Sequence, residues 1–246
     1  MKLLILSDIH GNLYALNEVI MYIKNIQLDA MALLGDFIDY CPHSNEVVEI
    51  ISKLDLPVIC NIRGNHENAI LNDDYTHFSS PRGAESAKYT KSILTEKTFE
   101  YLNSNTISSG KLEFSINEKK VLAVHGTIED EYWGKFDCTK DLSAYSSYDL
   151  VLMGHSHRPV YYEAFFPCEN KATRNQKKTI FINPGSVGQP RNHNNKSQFV
   201  IYNTETEACE FIKLPYDIKK EQNAFSNKVD EFYKTRLEAG IWKNYM

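Results

Sequence analysis

The sequence predicts an α/β fold, with two β-sheets packed face to face and helices outside, on the strength of three observations. Short apolar runs recur at Leu3–Leu6, Met31–Leu34, Val121–Val124 and Leu150–Met153. Each is bounded by turn-forming residues and has the length of a buried strand. In the first third of the chain these runs alternate with helix-like segments, the pattern of a parallel sheet with right-handed crossovers. Beyond Lys111 strand-like runs dominate, and an α/β/β/α sandwich of two mixed sheets accommodates their number best.

Taken in order, Met1-Lys2 leads straight into the first strand. Asn12 can then cap a helix whose apolar positions Leu13, Leu16, Val19, Ile20 and Ile23 recur at three and four residues. The strand Met31–Leu34, a helix over Asn45–Leu54 and a strand over Pro57–Cys60 follow. Between Glu67 and Gly110 one helix is expected from about Ala84 to Leu102, either packing on the core or shaping a substrate mouth. Leu112–Ile116 and Lys120–Val124 flank Asn117-Glu118-Lys119 as a hairpin. Later strands are expected at Val160–Phe166, Thr179–Ile182, Phe199–Asn203 and Ala208–Leu214, and the polar, basic stretch between Cys168 and Lys178 reads as a solvated hairpin tip. A final amphipathic helix over about 217–240 carries Ile218, Phe225, Val229, Phe232 and Leu237 on one stripe. That stripe would cover the core or form a homodimer contact. We expect a single domain over residues 1–246.

The bulk properties exclude several classes. A chain of 246 residues with 42% hydrophobic and 24% charged residues is ordinary for a globular protein. Its net charge of −5 offers no strong nucleic-acid surface and no match to an anionic membrane. There is no basic leader followed by an apolar stretch, and no apolar run near the roughly 18–20 residues of a membrane helix. A cytoplasmic location is therefore expected. Cys41, Cys60, Cys138, Cys168 and Cys209 form an odd set without C-x-x-C spacing, which disfavours a disulfide framework and a thiolate zinc site. They are expected to be small buried hydrophobes.

Five of the eight histidines fall in five short, ordered pieces: Asp8-Ile9-His10, Gly35-Asp36, Gly64-Asn65-His66, His125-Gly126 and Gly154-His155-Ser156-His157. Several of these pieces directly follow an apolar run, which puts the side chains past the carboxyl ends of strands, where open α/β sheets place their ligand crevice. In an extended loop the x of Asp8-x-His10 and of His155-x-His157 turns alternate side chains the same way. The donor set of carboxylate, imidazole and amide suits divalent first-row metals.

These pieces resemble the calcineurin-like metallophosphoesterase superfamily, whose pattern D-x-H, G-D-x-x-D, G-N-H, H and G-H-x-H is complete between Lys2 and about Val187. Asn183-Pro184-Gly185-Ser186 is similar to a segment of the compact prokaryotic branch related to diadenosine polyphosphatases and YfcE-type phosphodiesterases. By this resemblance Asp8, His10, Asp36 and His157 hold one divalent ion, and Asp36, Asn65, His125 and His155 a second. Manganese is the ion expected first, with iron, zinc, cobalt or nickel as alternatives. The implied reaction is hydrolysis of a phosphodiester or phosphomonoester, in a nucleotide or dinucleotide polyphosphate, by a metal-bridging hydroxide. His66 would give a proton to the leaving oxygen, oriented by Asp39. Where protein phosphatases of the superfamily carry an arginine, Tyr40 stands here, so Arg63 and Arg191 become the candidate phosphate-binding residues, each with a surface salt bridge as its plainer role. His193 could reach the rim. His43 and His77 lack motif support. Two other readings remain open: a serine/threonine protein phosphatase, which Tyr40 disfavours, and a non-catalytic binding scaffold, which the complete ligand set disfavours. A zinc deaminase or peptidase lacks its motif.

Overall fold

The computed structural model describes residues 1–241; the last five residues of the expected domain lie outside the described residues. The elements run β1 (Lys2–Leu6), α1 (Leu13–Ile23), β2 (Ala30–Leu33), α2 (Ser44–Lys53), β3 (Val58–Asn61), α3 (Asn65–Asn72), α4 (Pro81–Ile93) and α5 (Glu96–Ser104). They continue as β4 (Lys111–Ile116), β5 (Lys119–Val124), β6 (Leu150–Met153), β7 (Val160–Pro167), β8 (Gln176–Asn183), β9 (Ser197–Asn203), β10 (Cys209–Leu214), α6 (Ile218–Asn223) and α7 (Glu231–Ala239). Two mixed five-stranded sheets result, ordered β10-β9-β1-β2-β3 and β4-β5-β6-β8-β7. The expected α/β fold of two mixed sheets flanked by helices is what forms.

Strand alternation explains how one chain fills several layers. Leu3 and Ile5 of β1 face the second sheet, in a core shared with Val121, Ala123, Leu150 and Ile182. Leu4 and Leu6 face the opposite way, under Leu16 and Val19 of α1 and Val47 and Ile51 of α2. The outer face of the second sheet is covered by a largely non-helical segment. Phe181 and Val151 pack there against Phe136, Leu142, Tyr145 and Tyr148, from a segment whose only helical turn is 3-10, Ser143–Tyr145. Asp130, Asp137 and Asp141 each accept backbone N–H bonds two or three residues on, which offers this segment an alternative to helix.

Two expected helices are each broken in two. The segment about 84–102 splits because Leu94 is extended and Thr95 caps α5, accepting from Thr98 N at 3.3 Å. The segment about 217–240 splits because Asp230 caps α7, accepting from Phe232 N at 2.8 Å. Phe225 and Val229 fall between the two pieces and pack with Tyr40, Phe232 and Tyr233. The cysteines also depart from expectation, since only Cys41 and Cys60 are buried, Cys168 and Cys209 are partly exposed and Cys138 is exposed. Among the described residues no helix is long and apolar enough to cross a membrane.

Candidate metal centre

The carboxyl ends of β1, β2, β5 and β6 open side by side, and their loops stay bonded beyond the strands. Asp8 N donates to Gly35 O at 3.0 Å, His10 N to Asp36 O at 2.9 Å, and Gly154 N to His125 O at 3.0 Å. The chain bends sharply here. Asp8, His10, Asp36, Asp39, Tyr40, His155 and His157 all have φ between 50° and 73°, the left-handed region that side chains with a Cβ rarely adopt. Each such residue costs of order 1–3 kcal/mol, so their concentration at one spot marks a site that the surrounding fold holds in place.

That hold has identifiable parts. Ser186 Oγ donates to Asp8 O at 2.7 Å, Val187 N to Ser7 O at 3.1 Å and Gly188 N to Asp8 O at 3.1 Å, so the Asn183–Gly188 turn braces the first ligand loop. A Cβ on Gly188 would sit 1.8 Å from Ile9 O, which restricts that position to glycine. Asn183 Nδ2 donates to Gly154 O at 2.6 Å and so braces the last ligand loop. Glu67, wholly buried, binds the middle loops together, accepting from Asp36 N at 2.8 Å, Phe37 N at 2.7 Å, Ile38 N at 3.1 Å and Gly64 N at 2.8 Å. Burial and the charge of Asp36 push its carboxyl up, while these N–H groups oppose them.

Two ligand groups result, and they share Asp36. Asp8, His10, Asp36 and His157 form one, and Asp36, His125 and His155 the other. Asn65 joins the second, with Oδ1 3.0 Å from His125 Nε2 and 2.9 Å from His155 Nδ1. Ring orientation is fixed from behind: the Nδ1 atoms of His10, His125 and His157 face Ile38 O, Leu34 O and Gln189 O at 3.2, 2.6 and 2.6 Å. With those protons donated backwards, the Nε2 lone pairs of His10 and His157 face each other at 3.2 Å, an arrangement that a cation between them stabilises. Asp8 Oδ1 and Asp36 Oδ2 are buried without a hydrogen-bond partner among the described residues. Asp36 Oδ2 lies 3.2 Å from His125 Nε2 and 3.6 Å from His10 Nε2, between the two groups. The residues present therefore fit divalent ions.

Protonation points the same way. Burial, with neighbouring histidines and Arg191, holds His10, His155 and His157 well below the usual imidazole range, so they are neutral as metal ligands must be. Burial also pulls on His125, but Asp36 and Asp8 overcome it and raise the ring to about 9. The carboxylates thus draw positive charge to that nitrogen, as a proton or as a metal ion.

His66 is close to this centre without belonging to either group. Its Nδ1 lies 2.6 Å from Asp39 Oδ2, while Ser86 Oγ and Thr90 Oγ1 of α4 donate to Asp39 Oδ1 at 2.7 and 2.8 Å. Burial pulls His66 down, but Tyr40, Asp36 and Asp39 outweigh it and lift the ring to about 10. Divalent cations beside Asp36 would act against that rise.

A cavity of about 600 Å³ opens over the centre. Arg191 and His66 line it, but Arg63 does not. The Arg63 guanidinium instead donates to Thr106 Oγ1 at 2.9 Å and Leu102 O at 3.0 Å, tying down the end of α5, so its expected phosphate-binding role is not supported. His193 is exposed, outside the cavity lining, and its N donates to Gly240 O at 2.8 Å. The sequence reading missed Glu67, Ser86, Thr90, Trp133, Tyr233 and Arg236. Only Glu67 had a signal, its capping position three residues after Gly64.

The comparisons with known proteins agree with this geometry. The family model described as the calcineurin-like phosphoesterase superfamily domain matches residues 1–207. The uncharacterised protein MJ0912 of Methanocaldococcus jannaschii is 32% identical over 243 residues, covering 96% of this chain and 97% of its own. A metallophosphoesterase from Sphaerobacter thermophilus superposes with a TM-score of 0.75 at 26% identity, over 98% of this chain and 100% of its own. The phosphoesterase YfcE of E. coli has the same fold at 18% identity and a TM-score of 0.50, covering 87% of this chain and 100% of its own.

Proposed function

Because this chain belongs to the calcineurin-like phosphoesterase superfamily, we propose that it is a two-metal phosphoesterase that hydrolyses phosphodiesters or phosphomonoesters of nucleotides or dinucleotide polyphosphates. The observation that carries the metal count is the position of Asp36 Oδ2, unpartnered and between two separate histidine groups. Manganese is the favoured ion, and iron, zinc, cobalt or nickel also suit nitrogen and oxygen donors. When bound, such ions polarise the phosphoryl group and make a nucleophile available from water near neutral pH.

The protein's own part is positional and acid–base. Asp39 holds the His66 ring so that Nε2 faces the centre, 4.0 Å from Asp36 Oδ2, where it can give a proton to a leaving oxygen. Arg191 supplies positive charge in the cavity wall for the phosphoryl oxygens. Phe78 and Trp133 form an aromatic wall 5.1 Å from the His66 ring and 5.8 Å from the His155 ring, which suits a planar base. The test is turnover of bis-nitrophenyl phosphate, nitrophenyl phosphate, cyclic nucleotides and diadenosine polyphosphates by chelated protein reloaded with Mn²⁺. Hydrolysis restored by the metal is expected. Protein shown to hold two metals per chain that turned over none of the panel would overturn the proposal.

A further inference from the structure

The family match ends at residue 207, yet α7, beyond that limit, sends a side chain into the cavity wall. Arg236 is 4% exposed, and its Nε donates to Gln189 Oε1 at 2.7 Å. Its Nη2 is buried with no hydrogen-bond partner among the described residues, and no carboxylate pairs with it there. What surrounds the guanidinium is aromatic: its Cζ lies 5.1 Å from the Tyr40 ring, 4.9 Å from Phe232 and 5.1 Å from Tyr233. Rings of this kind stabilise the cation through their faces but take none of its N–H bonds. Burial first, and Arg191 second, lower the Arg236 pKa to about 9, which still leaves a cation at neutral pH. A buried guanidinium in a cavity wall, with an unpartnered Nη2 and no carboxylate beside it among the described residues, is suited to an anion that arrives from outside.

The position of that anion follows from Tyr40. Its ring lies 4.6 Å from the His10 ring and 4.5 Å from the His66 ring, and Arg236 packs against the same ring. Arg236, His10 and His66 therefore all pack around one aromatic ring. Arg82 adds a second cation at the same end, with its Cζ 4.3 Å from the Phe232 ring that Arg236 also touches. Register here is fixed, because Gln189 O also orients His157 while Gln189 Oε1 holds Arg236.

We propose that Arg236 forms a second anion subsite, and that the substrate carries a further phosphate or carboxylate on its leaving-group side, beside Tyr40. This rests on the phosphoesterase reading above. The protein phosphatase alternative, with neutral serine and threonine leaving groups, uses no such subsite.

The experiment compares kcat and KM for nitrophenyl phosphate, which has one anionic group, with those for ADP and fructose 1,6-bisphosphate, which have two. Arg236→Gln should raise KM for a two-anion substrate about tenfold to a hundredfold more than for nitrophenyl phosphate, the usual cost of a lost charge-assisted hydrogen bond. Arg236→Lys should recover part of the loss, since the charge stays and the fork goes. Arg82→Gln, at an exposed position that leaves α7 intact, should shift the same ratio by less. An effect on ADP alone assigns a polyphosphate chain, and an effect on the bisphosphate alone a second phosphoester. Equal losses on all three substrates, or none on any, would overturn the subsite. If no phosphoester is hydrolysed at all, the phosphoesterase reading fails separately. Calorimetric titration with pyrophosphate and with phosphate still reads the subsite: a larger loss for pyrophosphate in Arg236→Gln supports it, and equal losses reject it.

Discussion

Replacing Glu67 by glutamine should loosen the metal centre without touching a ligand. In the native protein Oε1 accepts from Phe37 N and Ile38 N, and Oε2 from Asp36 N and Gly64 N. An amide has one oxygen, so whichever way it turns, two buried N–H groups face an NH₂ and lose their acceptor. Two hydrogen bonds to a charged group contribute about 3–6 kcal/mol together. The carboxylate's own burial, visible in its raised pKa, offsets part of this, so a net loss of about 3 kcal/mol is expected. At about 3 °C per kcal/mol for a chain of this size, Tm should fall by about 9 °C. The two pairs at risk are Asp36 with Gly64, the residue before Asn65, and Phe37 with Ile38, directly after Asp36, so with either loss Mn²⁺ affinity should fall with stability. Thermal unfolding at several Mn²⁺ concentrations measures both, because bound metal adds to stability by mass action. Native Tm and native Mn²⁺ affinity in Glu67→Gln would refute the account of how Asp36 is held.

Three further outcomes are expected. Asp36→Asn should reduce bound metal from two per chain and abolish hydrolysis, because its Oδ2 is shared by both ligand groups; elemental analysis with turnover decides, and two metals with normal rate would remove the shared role. His66→Gln should slow substrates with poor alkoxide leaving groups about 10²–10⁴-fold, the usual range for general acid catalysis, and nitrophenyl esters far less; equal losses would mean that His66 stabilises the phosphoryl group instead. The third concerns pH, away from the metals. His43 Nδ1 lies 3.0 Å from Glu221, which raises its pKa above 6.5 against the opposing effect of burial, with help from Glu46. The folded state therefore binds this proton more tightly than the unfolded one. The stability it contributes is full below pH 6.5 and is lost as pH rises through the higher folded-state pKa. Thermal unfolding across neutrality should show a fall in the native protein that His43→Gln lacks, and parallel profiles would exclude the linkage.

What was legible in the sequence, and what was not, follows from the range of the interactions involved. The gathering of Asp8, His10, Asp36, Asn65, His125, His155 and His157 could be read because each short piece joins a strand to a sharp turn, and both leave a local signature. The brace of that centre is nonlocal and leaves little. Ser86 and Thr90 look like ordinary helix residues, yet they hold Asp39 from 47 and 51 positions away. The broken helices have the same origin, since the caps Thr95 and Asp230 won over a continuous apolar stripe that also fitted one long helix.

Arg236 is the sharpest case. On the α7 helix its neighbours Phe232, Tyr233 and Leu237 are buried, and a charged residue among them reads as a solvated flank. Only the folded chain reveals that this flank meets Tyr40. A bulky aromatic in the left-handed region, φ 65°, is strained and would be purposeless as mere filler. Stacked on Tyr233 at 4.2 Å and edge-on to His66, it instead joins α7 to His66. A positive charge thus reaches the Tyr40 ring from a distant part of the chain. The candidate metal centre thus draws on residues 8–157, while α7, beyond the stretch matched by the family model, adds Arg236 to its cavity wall.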